Sequence, residues 1–493
     1  MQCTKKQQKM KLWSQVIWYF VVFSATGCAI VGQDYVRPDI EMNESWNTRL
    51  ADGLNDSVTT PQELAHWWKI LDDHVLTDLI DRAVKNNPDL KEAAARLRQA
   101  RSERFGVKSD LFPALESSGS GTRSRSSGDG GTGSSRTMYS AGFDAGWEID
   151  LFGGVRRSVE AAQADLEASR ENVNDVLVSL TAEVALNYLE LRTYQARLSV
   201  AKQNLEMQEQ TWQLENYRLL SGFSDELAVA QARSNRENTR SKMPTLRTQV
   251  AQAKNRLAVL VGEQPGKLHE ELDEYTPVPV VSTQVAFGVP ADVLRSRPDV
   301  RRAERELAAK TARVGVAKSD LYPKFTLNGS IGYEALSLSD LVTAGSRTWS
   351  YGPRITWPIF HAGSIRANIE VVSELQEQAL IQYESVVLSA LEEVEDALVA
   401  YVEEQSRRES LNEAAIAAQQ AVDLAQNKYD AGLIDFDTIL ETHRTLLSYQ
   451  DELAQSEAAV TMNLVRLYKA LGGGWTSMVS DYQAQVPIQG ESL

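Results

Sequence analysis

Cysteine is nearly absent. Cys3 and Cys28 are the only two in 493 residues, and Cys3 lies in a segment that secretion would remove, so the mature chain cannot close an intramolecular disulfide. Histidine is equally sparse: His66, His74, His269, His361 and His443 stand without metal-ligand spacing, which leaves a zinc or copper site unsupported. Long apolar runs are missing too. None reaches the roughly 18 to 20 residues a membrane-spanning helix needs, so any crossing of a bilayer must be made by β-strands. Basic residues are in deficit, at a formal charge of −16, and no Lys/Arg stripe with interleaved aromatics occurs, which disfavours nucleic acid as a partner. Gly262-Glu263-Gln264-Pro265-Gly266-Lys267-Leu268 is too short between its glycines for a phosphate loop and lacks the hydroxyl residue after Lys267. With no catalytic constellation elsewhere, an enzyme is not expected.

What is present begins with the N-terminus. Lys5, Lys6, Lys9 and Lys11, the apolar run 16–23 and the small residues Ser24-Ala25-Thr26-Gly27 read as a signal peptide over 1–27. Cys28 follows at the position of an acylated cysteine in a bacterial lipobox, although Ala25 stands where Leu is usual. A covalent lipid on Cys28 is the one attached group expected, with no other cofactor.

The chain is written twice. Asn87-Pro88-Asp89-Leu90 returns as Arg297-Pro298-Asp299-Val300, Lys108-Ser109-Asp110-Leu111-Phe112-Pro113 as Lys318-Ser319-Asp320-Leu321-Tyr322-Pro323, and Gly222 as Gly432, all displaced by 210 residues. Near Phe152 and Phe360 the displacement reads as 208, which implies a small insertion or deletion in the intervening strands. The organisation follows as a lipid-anchored N-terminal segment 28–75, a first repeat 76–261, a linker 262–290, a second repeat 291–471 and a tail 472–493. The Ala, Leu, Glu, Gln and Arg content of 155–261 and 364–471 indicates extended helices rather than compact α/β cores.

Each repeat reads as a shorter helix, two strands, a very long helix, a glycine turn and a medium helix. In the first repeat these are a helix 77–108 with a break at Asn87-Pro88, strands near 115–125 and 137–149, a long helix 155–220 and a helix 225–261. In the second they are a helix 291–319, strands near 325–335 and 347–357, a long helix 364–430 and a helix 436–471. Tyr139, Ala141, Phe143, Ala145, Trp147 and Ile149 alternate with polar residues and glycine, as do Phe325, Leu327, Ile331 and Tyr333, and Trp349, Tyr351, Ile355 and Trp357. Aromatics on one face at period two suit transmembrane strands. The segment 115–125 is too polar to stand alone and is assigned as the counterpart of 325–335. Four strands cannot close a barrel, which needs about eight, so several copies must contribute, and three would supply twelve.

Leu177, Val184, Leu191, Leu198, Leu205, Trp212 and Leu219 recur every seven residues, and Ile439, Leu446, Leu453, Val460 and Leu467 do the same. Such a repeat means helices packed along their length. Pro244 predicts a kink in the helix that carries it.

Tyr35-Val36-Arg37-Pro38, Asp150-Leu151-Phe152-Gly153-Gly154-Val155-Arg156, Leu294-Arg295-Ser296-Arg297-Pro298-Asp299-Val300-Arg301, Val314-Gly315-Val316-Ala317-Lys318 and Leu257-Ala258-Val259-Leu260-Val261-Gly262 resemble signatures of the TolC-type outer-membrane factors. The likeness is to the NodT/OprM-like lipoprotein branch that serves resistance-nodulation-division pumps. It implies an α+β membrane protein: a homotrimer whose twelve-stranded transmembrane β-barrel continues into a long α-helical coiled-coil periplasmic barrel. It further implies an outer-membrane, lipid-anchored exit duct for drugs or toxic compounds, passive and gated at its periplasmic end. Its partners would be a periplasmic adaptor (membrane fusion protein), an inner-membrane pump and outer-membrane lipid.

The resemblance also assigns roles to the two helix-turn-helix tips. Asp435 and Asp437 are the gate candidates, where a threefold ring of carboxylates would favour cations; each could instead simply cap its helix. Gly222, Phe223, Asp225, Gly432 and Leu433 are the residues expected to meet the adaptor. The Gly, Pro and Arg-Pro-Asp elements read as turns and caps, and Glu392, Glu393, Glu395 and Asp396 as a solvated or lumen-facing stripe. Two other readings remain: the outer-membrane channel of a type I protein secretion system, and a non-channel periplasmic coiled-coil adaptor or scaffold.

Overall fold

Proline and asparagine set the first helices. α1 (His74–Asn86) starts where Asp73 accepts hydrogen bonds from the Val75 and Leu76 amides at 2.9 and 3.0 Å. Leu76, Leu79, Ile80 and Ala83 lie on one buried stripe of it. α2 (Pro88–Ser109) follows at once, with Pro88 in the first turn, where its missing N–H costs nothing. The expected broken helix is therefore two helices divided at Asn87. The computed structural model describes residues 30–40, 45–47, 54–55, 64–127, 129, 133–279, 285–286 and 295–475; the signal segment, Cys28 and nearly all of the C-terminal tail lie outside the described residues.

Five of the elements return at a single displacement or close to it. β2 (Ala114–Arg125), α3 (Gly154–Leu220) and α4 (Glu226–Leu260) correspond, 210 residues on, to β5 (Lys324–Ala335), α6 (Ser364–Asp430) and α7 (Phe436–Ala470), and α2 corresponds to α5 (Pro298–Ser319). β3 (Ser135–Ile149) corresponds to β6 (Arg347–Thr356), and β1 (Leu54–Asn55) and β4 (Val285–Ala286) form a short parallel pair. The shift to 208 near Phe152 does not hold. Gly153 (φ 84°) and Gly363 (φ 87°) occupy the same turn before α3 and α6, 210 apart, so Phe152 corresponds to Ala362, and Phe360 is a separate aromatic of that turn. α4 runs through Pro244 without interruption.

The chain forms two compact units, one of residues 1–39, 96–169 and 302–384, the other of residues 40–95, 170–301 and 385–493. The first holds the antiparallel sheet, in the order β2-β3-β5-β6. Phe143 faces Ile331, which faces Trp349; Ile149 faces Phe325, which faces Ile355. Phe143, Ile331, Trp349, Tyr351 and Ile355 are exposed on this side. The opposite side carries the Ser120–Ser140 and Ser330–Ser350 hydroxyl pairs, each at 2.8 Å. The repeats join at β3 and β5, where Gly142 faces Gly332 and a Cβ on either would come within 2.8 or 2.6 Å of the other strand's carbonyl oxygens. Among the described residues, β2 and β6 are paired on one side only.

The second unit is helical. Leu177, Val184 and Leu191 of α3 and Ile439, Leu446, Val460 and Leu467 of α7 are buried, as the seven-residue spacing requires. At about 1.5 Å per residue, the part of α3 that lies in this unit, residues 170–220, rises roughly 75 Å along its own axis. Among the described residues, no helix is long and apolar enough to cross a membrane.

Candidate functional site

Both helix-turn-helix tips are built by the same backbone device. At the end of α3 the Gly222 amide bonds to the Leu219 carbonyl at 3.0 Å and the Phe223 amide to the Arg218 carbonyl at 2.8 Å. Gly432 and Leu433 repeat this on Tyr429 and Lys428 at 2.9 and 2.8 Å. This is the paired closure that ends a helix on a left-handed residue, and Gly222 and Gly432 supply it with φ of 82° and 72°. The next helix then starts on an aspartate. Asp225 accepts from the Ala228 amide at 2.9 Å, and Asp435 accepts from the Thr438 amide at 3.0 Å and its hydroxyl at 2.6 Å. Those bonds, the hydroxyl's first, hold the Asp435 carboxyl below its ordinary pKa.

Asp435 and Asp437 are both exposed, with Asp437 in the first turn of α7. Asp435 is thus a helix cap that also presents a carboxylate at the tip. Phe223 and Leu433 follow the two glycines and stand 80% and 73% exposed, although apolar residues there usually fold back on their own helix.

Behind the tips the sequence hides a polar link. Glu215 is fully buried and accepts the Ser224 hydroxyl at 2.8 Å and the Tyr429 hydroxyl at 2.7 Å, so it ties the first hairpin to the second. The Arg218 guanidinium lies 4.4 Å over the Tyr429 ring. Burial, then the bond to Glu215, pushes the Tyr429 phenol well above its ordinary pKa. Tyr429 packs with Ala228, Ala232, Phe436, Ile439 and Leu440. The available signal for Glu215 was its place three residues after Trp212 and four before Leu219, on the apolar face.

The acidic stripe is only partly solvated. Glu393 accepts from Arg297 at 2.7 Å and Glu395 from the Asn47 amide at 2.7 Å. Two of the four acids are therefore structural, because α6 packs against these groups within its unit.

In the first unit, the segment from Ile30 onward is held to the start of α3. The Val31 amide donates to the Phe152 carbonyl at 3.0 Å. Arg157, only 3% exposed, donates to the Val31 and Gly32 carbonyls at 3.2 Å and to Asp34 at 2.7 Å. Gly32 lies so close to Gly315 that a Cβ would sit 2.6 Å from its Cα. A Cβ on Gly315 would meet the Arg157 side chain at 3.0 Å, so the glycine of the Val-Gly-Val-Ala-Lys signature leaves room for this clamp.

The family model described as outer membrane efflux protein matches residues 79–263 and 289–473, again displaced by 210. The chain is 31% identical over 462 residues to the solvent efflux pump outer membrane protein SrpC of Pseudomonas putida, covering 93% of this chain and 97% of that one. It is 31% identical over 466 residues to the cation efflux system protein CusC of Escherichia coli O6:H1, covering 93% and 98%. Among solved structures it is similar to the outer-membrane channel OprN, with a TM-score of 0.85, 36% identity and coverage of 90% and 99%.

Proposed function

We propose a gate, an anchor and an assembly for this chain from one premise: it belongs to the outer membrane efflux protein family and is an outer-membrane channel of a tripartite efflux pump. The family is one of channels, not enzymes. The assembly is a homotrimer in which three copies close a twelve-stranded barrel. One observation carries this reading: a sheet with an exposed aromatic face, a hydroxyl-lined opposite face, and two strands paired on one side only. Lipid covers the first face, water fills the space behind the second, and the outer edges of β2 and β6 pair with neighbouring copies.

The periplasmic gate is a threefold ring of Asp435 and Asp437. Exposed carboxylates near a shared axis attract cations and repel anions while the pore is narrow. Capping does not compete with this role, since the same Asp435 oxygen that binds Thr438 retains its negative charge. Gly222, Phe223, Asp225, Gly432 and Leu433 form the surface that meets the periplasmic adaptor, with Phe223 and Leu433 as apolar contacts. The inner-membrane pump supplies the energy and selects the cargo, small drugs or toxic compounds. Cys28 carries the acyl anchor, and the Arg157 clamp supports this by fixing the chain from Val31 onward.

Single-channel conductance of the detergent-purified protein in a planar bilayer, with the oligomeric mass taken from the same preparation, tests the reading. A trimer with small, cation-selective currents is expected, and currents should grow and lose cation preference when Asp435→Asn and Asp437→Asn are combined. A monomer, or selectivity unchanged in the double variant, would overturn the barrel or the gate respectively.

A further inference from the structure

A cavity of about 520 Å³ opens in the helical unit between α3, α4 and α7. That volume lies within the roughly 300 to 1,000 Å³ of small-molecule sites. Arg197, Lys242, Arg444 and Asp451 supply its charged groups, Asn235 one of its three side-chain amides, and Leu246 and Leu447 part of its apolar wall. In a chain of net charge −16, this lining holds three cations and one acid.

The acid is fully engaged. Asp451 takes Arg197 on both oxygens, at 2.8 and 3.1 Å, and its second oxygen also accepts from Gln455 at 2.9 Å. Arg444 is exposed, and its Nε donates to the Asn235 side-chain oxygen at 3.2 Å. Lys242 is exposed, and no acid pairs with it among the described residues.

The decisive atom is on Asn235. This side chain is 5% exposed, its oxygen is held by Arg444, and among the described residues its Nδ2 has no hydrogen-bond partner. A buried amide donor without an acceptor is costly, and native proteins leave few such groups unexplained. What Nδ2 lacks is an acceptor, and three of the four charged groups in the lining are positive. We propose that this cavity binds a small oxyanion, a carboxylate or a phosphate, which accepts from Asn235 Nδ2 and is neutralised by Arg444 and Lys242. Charge-assisted bonds of this kind are roughly twice as strong as neutral ones. The proposal does not depend on the gate or on conduction.

Isothermal titration of the full chain in detergent, using inorganic phosphate, glutarate and, as a cationic control, choline, reads binding without a membrane. One saturable anion site per chain is expected, weakened about tenfold by Lys242→Gln or Arg444→Gln and abolished by Asn235→Asp, which replaces the donor with a second carboxylate. Saturation by phosphate would assign the free inorganic ion, and saturation by glutarate alone would assign a carboxylate. No saturable heat with either anion, equal binding of choline, or unchanged affinity in both the Lys242 and Arg444 variants would overturn the assignment. Lys242 is exposed, so its loss leaves the fold in place, whereas Arg444→Gln also frees the Asn235 oxygen.

Discussion

Asn87 and Arg297 occupy the same position in the two repeats and bond to the same target. Asn87 Nδ2 donates to the Leu260 carbonyl at 3.0 Å, and Arg297 donates to the Ala470 carbonyl at 2.6 Å. Leu260 and Ala470 are the last residues of α4 and α7, so each repeat closes by satisfying a carbonyl its final helix leaves open. The chemistry has diverged around a conserved geometry. Asn87 also caps α2 through the Asp89 and Leu90 amides at 2.9 and 3.1 Å, whereas Arg297 pairs with Asp299 and Glu393 at 2.8 and 2.7 Å.

This difference predicts unequal costs. Asn87→Ala removes a cap and one carbonyl bond and should destabilise by about 1–2 kcal/mol. Arg297→Ala strips a buried cation from two carboxylates and a carbonyl and should cost roughly 3 kcal/mol. Chemical denaturation of the two variants checks the order; a milder loss for Arg297→Ala would contradict it.

The two tip glycines should resist a side chain for purely conformational reasons. Among the described residues nothing lies within 4 Å of a Cβ built on Gly222 or Gly432, yet both have positive φ. Alanine at either site should cost about 1 kcal/mol, read as an earlier thermal transition. An unchanged melting curve would show that the turn relaxes freely.

At the junction of the repeats the constraint is steric instead. Gly332→Val would drive its Cβ into the Ala141 carbonyl at 2.6 Å and push β3 from β5. Assembled protein recovered from the membrane should fall several-fold, while Gly345→Val, with nothing within 4 Å of its Cβ, should assemble normally. Equal recovery of both would remove the argument.

Asp435 carries a pH dependence whose sign follows from its depressed pKa. Its contribution to stability is complete above the ordinary carboxylate value of about 4 and is lost as the pH falls through the lower folded value. Asparagine keeps a good helix cap without the charge. The melting-temperature advantage of the natural protein over Asp435→Asn should therefore shrink below about pH 4. A constant difference from pH 7 to pH 3 would rule this out.

Much of this protein was legible without coordinates because its signals are local and written twice. The spacing of seven in α3 and α7, the alternation in β3, β5 and β6, and the glycine turns at 222 and 432 each arise from how one element meets its neighbours, so they survive in a linear reading. β2 is the instructive case: its residues are too polar to announce a strand, and only the likeness to β5 placed it. At Phe152 the opposite holds: one aromatic letter at 152 and 360 suggests a displacement of 208, whereas the positive-φ Gly153 and Gly363 keep it at 210.

Only the tertiary structure decided which distant groups meet. Period two puts Phe143 and Ile331 on apolar faces but does not say that β3 pairs with β5, because register depends on long-range backbone bonds. Glu215 reaches Tyr429, Arg157 grips residues 31–34, Arg297 engages Glu393, and Asn235 is left with an unmatched donor, all through contacts that no periodicity encodes. The sequence determined the elements and their faces because those follow from the pattern of neighbouring side chains; the polar links and the cavity belong to the fold, because a buried polar group is defined by its partner across space.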